Sequence, residues 1–317
     1  MQIIKTHNLS KFYNKGKFKA LDNLNIEIEK NTIFGFLGPN GAGKTTTLKL
    51  LTGLIKPSNG EIWINNSLIN KDNFINNNIG YLSQNPKYYD WMSAYELLTF
   101  VGKLFNFSKK DASIRADELI ELCGINDYKN RKIRTYSGGM VQRVGIAQAL
   151  FNKPDVLFLD EPVSDMDPLG RKEILDFIKI LKKDTTVFMS SHILEDVERV
   201  CDSIAIINKG HLIKVSDTQE LKNEFTKKAG TIEIKLSSNK DLNKCKAWIN
   251  DYISNKYSIN DLKIVIGEKY FKYYKNDFFK MVGNSSINIE SYKIIKPSLE
   301  DIFVSIIGED NYEKSVN

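Results

Sequence analysis

The stretch GPNGAGKT at residues 38–45 constrains this chain most, because it matches the pattern G-x-x-x-x-G-K-[ST] of a phosphate-binding loop. The apolar run 33–37 before it predicts a buried strand, and residues 45–54 after it predict a helix. Such a loop turns backbone N–H groups toward phosphate, and the helix N-terminus adds partial positive charge. We expect Lys44 to reach the β- and γ-phosphates of a nucleotide and Thr45 to ligate Mg²⁺. The flanking strand and helix disfavour the alternative, a chance glycine turn.

Two adjacent carboxylates end a second apolar segment, VLFLDEP at residues 156–162. At the carboxyl end of a strand, Asp160 can hold Mg²⁺ through water, and Glu161 can polarise or deprotonate an attacking water. The alternative is a strand that ends in solvated charges. The phosphate-binding loop elsewhere in the chain favours the metal and base roles.

A histidine occupies a third junction, in TTVFMSSHILEDVERV at residues 185–200. The segment predicts a strand followed by a helix, with His192 between them. The alternative is a structural or merely exposed histidine. Because α/β sheets bind ligands at the carboxyl edge of their parallel strands, His192 could donate a hydrogen bond to a γ-phosphate.

A second glycine turn, TYSGGM at residues 135–140, opens another predicted helix. A serine N-cap followed by exposed N–H groups can bind an anion, although an ordinary capped helix start has the same residues. The chain therefore contains two turns that could bind phosphate.

In this order the motifs resemble those of the ATP-binding-cassette (ABC) ATPases, over roughly residues 1–220. The resemblance implies an α/β P-loop NTPase with a RecA-like core, an antiparallel β subdomain and an α-helical subdomain at about 86–150. It implies an ATPase that uses ATP and Mg²⁺, with Tyr13 stacked on adenine. The nucleotide-binding residues it implies are Tyr13, Gly38, Pro39, Asn40, Gly41, Ala42, Gly43, Lys44, Thr45 and Thr46.

The same resemblance gives roles to residues outside the phosphate loop. Gln84, in IGYLSQNP, falls where the family senses Mg²⁺ and the attacking water, so it joins Glu161 and His192 as catalytic and Thr45 and Asp160 as metal-binding. Asp167 is the characteristic acid of the D-loop. In the family, the signature turn binds the γ-phosphate of ATP held by a second ATPase subunit; here that turn is Ser137, Gly138 and Gly139.

Two departures from the usual motifs concern the interface with that second subunit. Tyr136 and Met140 replace the leucine and glutamine of the usual signature, but neither change removes an anion donor. The resulting YSGGM resembles a common variant in the exporter and multidrug-resistance branch of the family. Asp165 stands where the D-loop more often has a small residue. Its carboxylate could weaken closure of the dimer or pair with a basic group.

The composition limits the classes of partner that we expect for this chain. The formal net charge of +6 is spread out: residues 219–317 hold 16 lysines, no arginine and 14 acidic residues, a net charge of +2. We therefore expect no nucleic-acid partner. Three distant cysteines indicate neither a disulfide framework nor a metal site. No apolar run approaches the ~20 residues that cross a bilayer. We expect a separate permease to span the membrane, with this chain peripheral on its cytoplasmic face.

The order of patterns predicts two domains, 1–218 and 219–317. Residues 1–30 predict an antiparallel edge sheet, 61–69 a hairpin-like strand, and 93–150 helices, the first with a capping box at Ser93. Strands are predicted at 156–160, 187–190 and 203–207, and the core is predicted to end after residues 208–210, with a short helical link following.

Residues 219–317 predict a small α+β accessory domain. Its strands are predicted at TIEIKLS, KIVIGE and NIESYKII, and its helices at 239–253 and KNDFFKMV, with a last amphipathic helix at 298–308 capped by Ser298. The PSLEDIF phrase is similar to the tail of ABC-2-type exporter ATPases. The domain either supports packing and dimerisation or regulates the enzyme.

The leading hypothesis is therefore the ATPase subunit of an ABC exporter. Two copies, or this chain and a paralogue, would enclose two ATP molecules and move a membrane permease. The alternative is a soluble ABC ATPase in translation, repair or cofactor assembly. A third possibility, a metabolic P-loop kinase, is disfavoured by the SGG turn and the SSH strand.

Overall fold

The computed structural model describes residues 1–69, 78–164, 166–253 and 257–295, except for the side chains of Lys15 and residues 224–229. The chain divides into two compact units, of which the first is Met1–Thr218 and the second begins at Gln219. Each unit has a hydrophobic core of its own.

The first unit alternates strands and helices. Its strands are β1 (Gln2–Tyr13), β2 (Phe18–Leu24), β3 (Glu27–Glu29), β4 (Ile33–Leu37), β5 (Asn59–Ile64), β6 (Ser67–Leu68), β7 (Ile79–Leu82), β8 (Val156–Asp160), β9 (Thr186–Ser191), β10 (Ser203–Asn208) and β11 (His211–Asp217). Its helices are α1 (Lys44–Leu51), α2 (Ala94–Leu104), α3 (Lys109–Leu122), α4 (Gly138–Ala149), α5 (Pro168–Leu181) and α6 (Leu194–Val200). Helix α7 (Thr218–Ala229) begins at its end.

The central sheet of this unit has the order β11-β10-β4-β9-β8-β7. Strands β10, β4, β9, β8 and β7 are parallel, and every residue of β4 and β8 is buried, as expected for strands covered on both faces. The strands predicted at 33–37 and 156–160 are confirmed. Because the strands are parallel, their carboxyl ends lie at one edge, where β4, β8 and β9 present the predicted site residues.

A separate antiparallel sheet, ordered β2-β1-β5-β6 with β3 also paired to β1, comes from the N-terminal region. This confirms the predicted edge sheet over residues 1–30. The segment predicted as one hairpin-like strand at 61–69 lies in the two strands β5 and β6, which are antiparallel. Asn65 and Asn66 join them with φ of 52° and 60°, as a two-residue type I′ turn requires.

The prediction that the core ends after residues 208–210 is wrong, because strand β11 continues the central sheet. It pairs antiparallel with β10 through a tight hairpin. Lys209 and Gly210 at the turn have φ of 47° and 82°, again the left-handed pair of a type I′ turn. The glycine that suggested an end to the core instead reverses the chain within it.

Helices α2, α3 and α4 occupy most of the predicted helical region. Ser93 caps α2 and forms the predicted capping box with Glu96, whose carboxylate accepts the Ser93 N–H at 2.7 Å. In the parts of the chain that the structure describes, we find no helix long and apolar enough to cross a membrane.

The second unit contains β12 (Thr231–Leu236), α8 (Asn239–Ile253), β13 (Tyr257–Asn260), β14 (Lys263–Gly267), α9 (Glu268–Phe271), α10 (Lys275–Asn284) and β15 (Ile289–Ile295). Its antiparallel sheet has the order β13-β14-β12-β15, the arrangement of a ferredoxin-like βαββαβ fold. Ile232, Ile234 and Leu236 of β12 are buried in the core that also contains Ile249 of α8. The sequence did not predict β13, and the predicted helix at 298–308 lies outside the described residues.

Candidate active site

The phosphate-binding loop connects β4 to α1, and its glycines permit close backbone approach. A Cβ on Gly38 would lie 2.4 Å from the Ile207 carbonyl oxygen, and one on Gly43 2.5 Å from that of Ala20. Gly43 and Gly41 also have φ of 110° and 81°, which favour glycine. The loop can therefore keep this shape only with glycine at these positions.

The side chain of Lys44, the first residue of α1, is buried against this loop. Its Nζ donates to the carbonyl oxygens of Gly38 at 2.8 Å and Pro39 at 3.2 Å, and lies 3.1 Å from Glu161 Oε1. The side chains of Lys44 and Glu161 are only 6% and 5% exposed. The ammonium group thus lies against the one carboxylate that the sequence predicts to be the general base.

Asp160, at the end of β8, is held by two hydroxyl groups. Ser190 Oγ donates to its Oδ1 at 2.7 Å and Thr45 Oγ1 at 3.3 Å, while the Glu161 N–H donates to Ser190 Oγ at 2.9 Å. Sequence reasoning missed Ser190. Its position follows from strand register, since Asp160 and Ser190 are directly paired between β8 and β9.

The other oxygen of Asp160 suits a cation. Oδ2 is buried and has no hydrogen-bond partner among the described residues, and burial raises the pKa of this carboxyl above its usual range. A cation beside Thr45 and Asp160 would satisfy that oxygen and stabilise the ionised form. The described residues contain no cluster of three or more His, Cys, Asp or Glu side chains suited to a metal. A metal here would thus need ligands besides these side chains, such as the Thr45 hydroxyl or phosphate oxygens.

His192 lies between β9 and α6, as predicted, and its Nδ1 is in hydrogen-bond contact with Glu161 Oε2. Glu161 therefore touches both Lys44 and His192, one through each carboxylate oxygen. Its backbone has φ of 49°, in the left-handed region that few non-glycine residues adopt. Such a conformation at the end of a strand is typical of functional sites.

A cleft of about 410 Å³ opens over these groups, large enough for a small-molecule ligand. Gln84 reaches it from the segment after β7. The cleft is lined by Phe18, Ala20, Asn40, Gly41, Gly43, Lys44, Thr45, Thr46, Gln84 and Glu161.

The residues that line the cleft differ in part from the predicted nucleotide-binding residues. Tyr13 is not among the lining residues; its ring lies 6.4 Å from that of Phe18, which does line the cleft. Sequence reasoning did not single out Phe18, although Tyr13 and Phe18 are direct partners across β1 and β2. The Pro39 carbonyl oxygen accepts a hydrogen bond from Lys44, and Ala42, within the loop, is buried. The adenine-stacking role of Tyr13 stays a prediction.

The second glycine turn lies outside this cleft. Ser137 caps α4, and its Oγ accepts the Met140 N–H at 3.3 Å. Ser137 and Gly138 are exposed, and Gly139 lies close to Met166, whose Cε would be 2.9 Å from an added Cβ. The structure therefore does not bring this turn together with the phosphate-binding loop of the same chain.

Asp167 caps helix α5. Its Oδ1 accepts the N–H groups of Leu169 at 3.1 Å and Gly170 at 3.0 Å, so this carboxylate fixes the start of the helix. Asp165 lies outside the described residues.

Comparison with known proteins gives a consistent set of relatives. The profile of the ABC transporter family matches residues 21–164. The chain is 40% identical over 238 residues to an uncharacterised ABC transporter ATP-binding protein, YxlF, of Bacillus subtilis, covering 74% of this chain and 77% of that protein. It is 36% identical over 316 residues to the bacitracin transport ATP-binding protein BcrA of Bacillus licheniformis, covering 96% and 97% of the two chains.

A solved structure is similar in fold to about two thirds of this chain. It is the dimeric post-hydrolysis state of the ATP-binding cassette MJ0796 with ADP and Pi, with a TM-score of 0.62 and 26% identity. The match covers 68% of this chain and 99% of that one.

Proposed function

This chain is an ATP-binding subunit of the ABC transporter family and hence an ATPase, and we propose that it drives export through a separate membrane permease. Two such subunits would enclose ATP between the phosphate-binding loop of one and the Ser137–Gly139 turn of the other. The partner subunit is a second copy or a paralogue.

The separation of the two glycine turns within one chain carries this proposal. Lys44, Thr45 and Glu161 line one cleft, with Asp160 and His192 bonded to its walls, whereas the Ser137–Gly139 turn is exposed elsewhere. An exposed helix N-terminus with a serine cap can bind phosphate but has no base beside it. It completes a site only when a second subunit brings a nucleotide to it. The dimeric, ADP- and Pi-bound state of MJ0796 supports this arrangement.

The residues of the cleft support hydrolysis in the following way. Lys44 moves from Glu161 onto the β- and γ-phosphates, which releases the Glu161 carboxylate to accept a proton from water. The water oxygen bonds to the γ-phosphorus while the bond to the bridging β–γ oxygen breaks, giving ADP and phosphate. Thr45, Asp160 and Gln84 would hold a Mg²⁺, which when bound neutralises charge on the phosphates. His192 orients the Glu161 carboxylate and can donate to the γ-phosphate.

An exposed aromatic patch supports the permease as the partner. Tyr89, Trp91 and Phe100 form it, with ring centroids 5.8 Å apart for Tyr89–Trp91 and 6.4 Å for Tyr89–Phe100. The Trp91 residue is 62% exposed. Clusters of exposed aromatic residues mark protein interfaces. The patch begins five residues after Gln84, which lines the cleft, so a short segment of chain connects the two.

The direction of transport follows from resemblance. BcrA is a bacitracin transport protein that matches this chain over nearly its whole length, and the tail and signature variant are similar to those of exporter ATPases. We propose that the chain is peripheral, on the cytoplasmic face of the membrane, and that the second unit supports packing or dimerisation.

The decisive experiment replaces the proposed base without changing its size. Glu161→Gln in the full-length chain should bind ATP, lower turnover at least about 100-fold and accumulate an ATP-dependent dimer on size-exclusion chromatography. Glu195→Gln, an exposed glutamate of α6, is the matched control and should hydrolyse ATP normally. Normal hydrolysis by Glu161→Gln would overturn the proposed mechanism.

A second experiment separates the transporter from a soluble ABC ATPase. The tagged chain should sediment with membranes and co-purify with a multi-helix protein, and Tyr89→Ala/Trp91→Ala should weaken both. Tyr273→Ala, an exposed aromatic of the second unit, is the control. A chain that never pellets with a membrane protein would favour the soluble alternative.

A further inference from the structure

Two arginine–aspartate ion pairs join helices α5 and α6, and they differ in burial. Arg171 Nε lies 2.5 Å from Asp196 Oδ1 near the first turns of the helices, where the Asp196 side chain is 3% exposed and that of Arg171 24%. Arg199 and Asp176 form the second pair about one turn further along, with Nη2 2.9 Å from both carboxylate oxygens and side chains 36% and 49% exposed. The first pair needs an explanation, since burying charges costs more than exposing them.

The buried pair is only partly bonded. Arg171 Nη2 and Asp196 Oδ2 are buried and have no hydrogen-bond partner among the described residues. Burial raises the pKa of the Asp196 carboxyl, against the hydrogen bond from Arg171 that lowers it. An arginine and a carboxylate can form two parallel bonds, so a small shift of α5 against α6 would complete the fork. The pair is therefore placed to sense the relative position of these helices.

Each helix adjoins one side of the catalytic machinery. Arg171 follows Asp167, whose carboxylate fixes the start of α5. Asp196 lies in the first turn of α6, four residues after His192, whose ring touches the Glu161 carboxylate. The ion pair thus connects the turn at Asp167 to the histidine beside the proposed base.

We propose that Arg171 and Asp196 are positioning residues that hold His192 in register with the turn at Asp167. This inference rests on the proposed function, in which the Ser137–Gly139 turn meets the second subunit and His192 acts on Glu161. Met166, next to Asp167, lies close to Gly139 of that turn. Arrival of the second subunit at the turn would then set the geometry of the histidine. Neither Arg171 nor Asp196 lines the nucleotide cleft, so the pair should affect kcat rather than the binding of ATP.

The two ion pairs provide a matched test in the full-length chain. Arg171→Ala should lower kcat about tenfold or more, with KM for ATP within about twofold, because small displacements of catalytic groups have large kinetic effects. Arg199→Ala removes the exposed pair from the same two helices and should leave both constants within about twofold. Equal effects of the two variants on kcat would overturn the proposal.

Because Arg171→Ala leaves a buried carboxylate without its partner, stability needs a separate control. The double variant Arg171→Met/Asp196→Leu has no unpaired charge and should recover the wild-type melting temperature while kcat stays low. Arg171→Lys keeps the charge but cannot form the two-bond fork, and it should have an intermediate kcat. Recovery of kcat with stability in the double variant would make the pair merely structural. Failure of Glu161→Gln to dimerise would contradict the proposed function instead. The kcat values of the Arg171 and Arg199 variants are measured independently of that experiment, so the two failures can be told apart.

Discussion

The two glycine turns of the first unit have similar residues and opposite surroundings. Residues 38–43 lead into Lys44 and Thr45, which contact the carboxylates of Glu161 and Asp160. Ser137 and Gly138 are exposed, and the Ser137 side chain caps only its own helix. A helix N-terminus alone thus provides a weak anion site. Under the proposed function, the side chains packed around each turn distinguish a catalytic site from half of a site shared with a second subunit.

The largest effect on ATP binding is expected from removing Lys44, the lysine that follows the first turn. Lys44→Ala should raise the Kd for ATP at least about 100-fold, since a charge-assisted contact with phosphate is lost from a buried position. Binding of a fluorescent ATP analogue measures this. Lys49→Ala, an exposed lysine of the same helix, is the control, and an unchanged Kd in Lys44→Ala would mean that the first turn is not the nucleotide site.

A substitution in the second turn should have the opposite effect, because ATP binding should be kept while hydrolysis is lost. Gly138→Asp places a carboxylate where the partner's phosphate would bind, so hydrolysis and dimer formation should be abolished while the monomer binds ATP within about twofold of wild type. Equilibrium binding and steady-state turnover are compared on the same preparation. Gly283→Asp, in open space on α10, should leave both unchanged. Loss of ATP binding in Gly138→Asp would show that the turn belongs to its own subunit's site.

The stability of the folded protein should depend on pH through Asp160, which accepts a hydrogen bond from Thr45 next to the first turn. Burial raises the pKa of this carboxyl in the folded protein, so its ionised form costs stability that the protonated form does not. As pH rises from the unfolded pKa through the folded pKa, the folded state loses stability relative to the unfolded one. Asp160→Asn should therefore raise the melting temperature at pH 7, by about 2–4 °C per kcal/mol gained, and the gain should vanish near pH 4 or below.

Calorimetry of both proteins across that pH range measures the difference. Asp184→Asn, at an exposed aspartate, should show no comparable gain. A lower melting temperature for Asp160→Asn at pH 7 would indicate that hydrogen bonds from Ser190 and Thr45 outweigh the burial of charge.

The smallest effect is expected from the serine of the second turn. Ser137→Ala removes the acceptor of the Met140 N–H and should destabilise the fold by about 1 kcal/mol. Denaturant unfolding measures this loss, which has the opposite sign to the gain expected at Asp160. Ser137→Asn, which can also cap a helix, should restore stability, and equal losses in both variants would exclude the cap as the cause.

The parts of this structure that the sequence predicts are those with local signals. The buried strands before Lys44 and Glu161 follow from apolar runs, and the capping box at Ser93 from two residues three apart. Strand β11 was missed because its residues are only partly buried and its turn was interpreted as the end of the core. Strand β13 has four residues, too few for a periodic pattern.

The residues of the candidate site also differ in whether a local sequence signal reveals them. Lys44, Asp160 and Glu161 could be proposed from the sequence because each lies at the end of a strand or the start of a helix. Gln84 lies between β7 and α2 and was proposed only from the family resemblance. Ser190 and Phe18 were not proposed, since their places depend on which residue faces Asp160 across β8 and β9, or Tyr13 across β1 and β2. The Arg171–Asp196 pair likewise joins residues 25 positions apart, and only the packing of two helices reveals it.

Under the proposed role of Glu161 as the base, its left-handed backbone implies a conflict between stability and turnover. Glycine or asparagine adopts that conformation more readily than glutamate, by roughly 1 kcal/mol for glycine. A library of variants selected for heat resistance alone would therefore tend to lose its glutamate at this position. The most durable proteins recovered from such a selection should include ones that still bind ATP and no longer consume it.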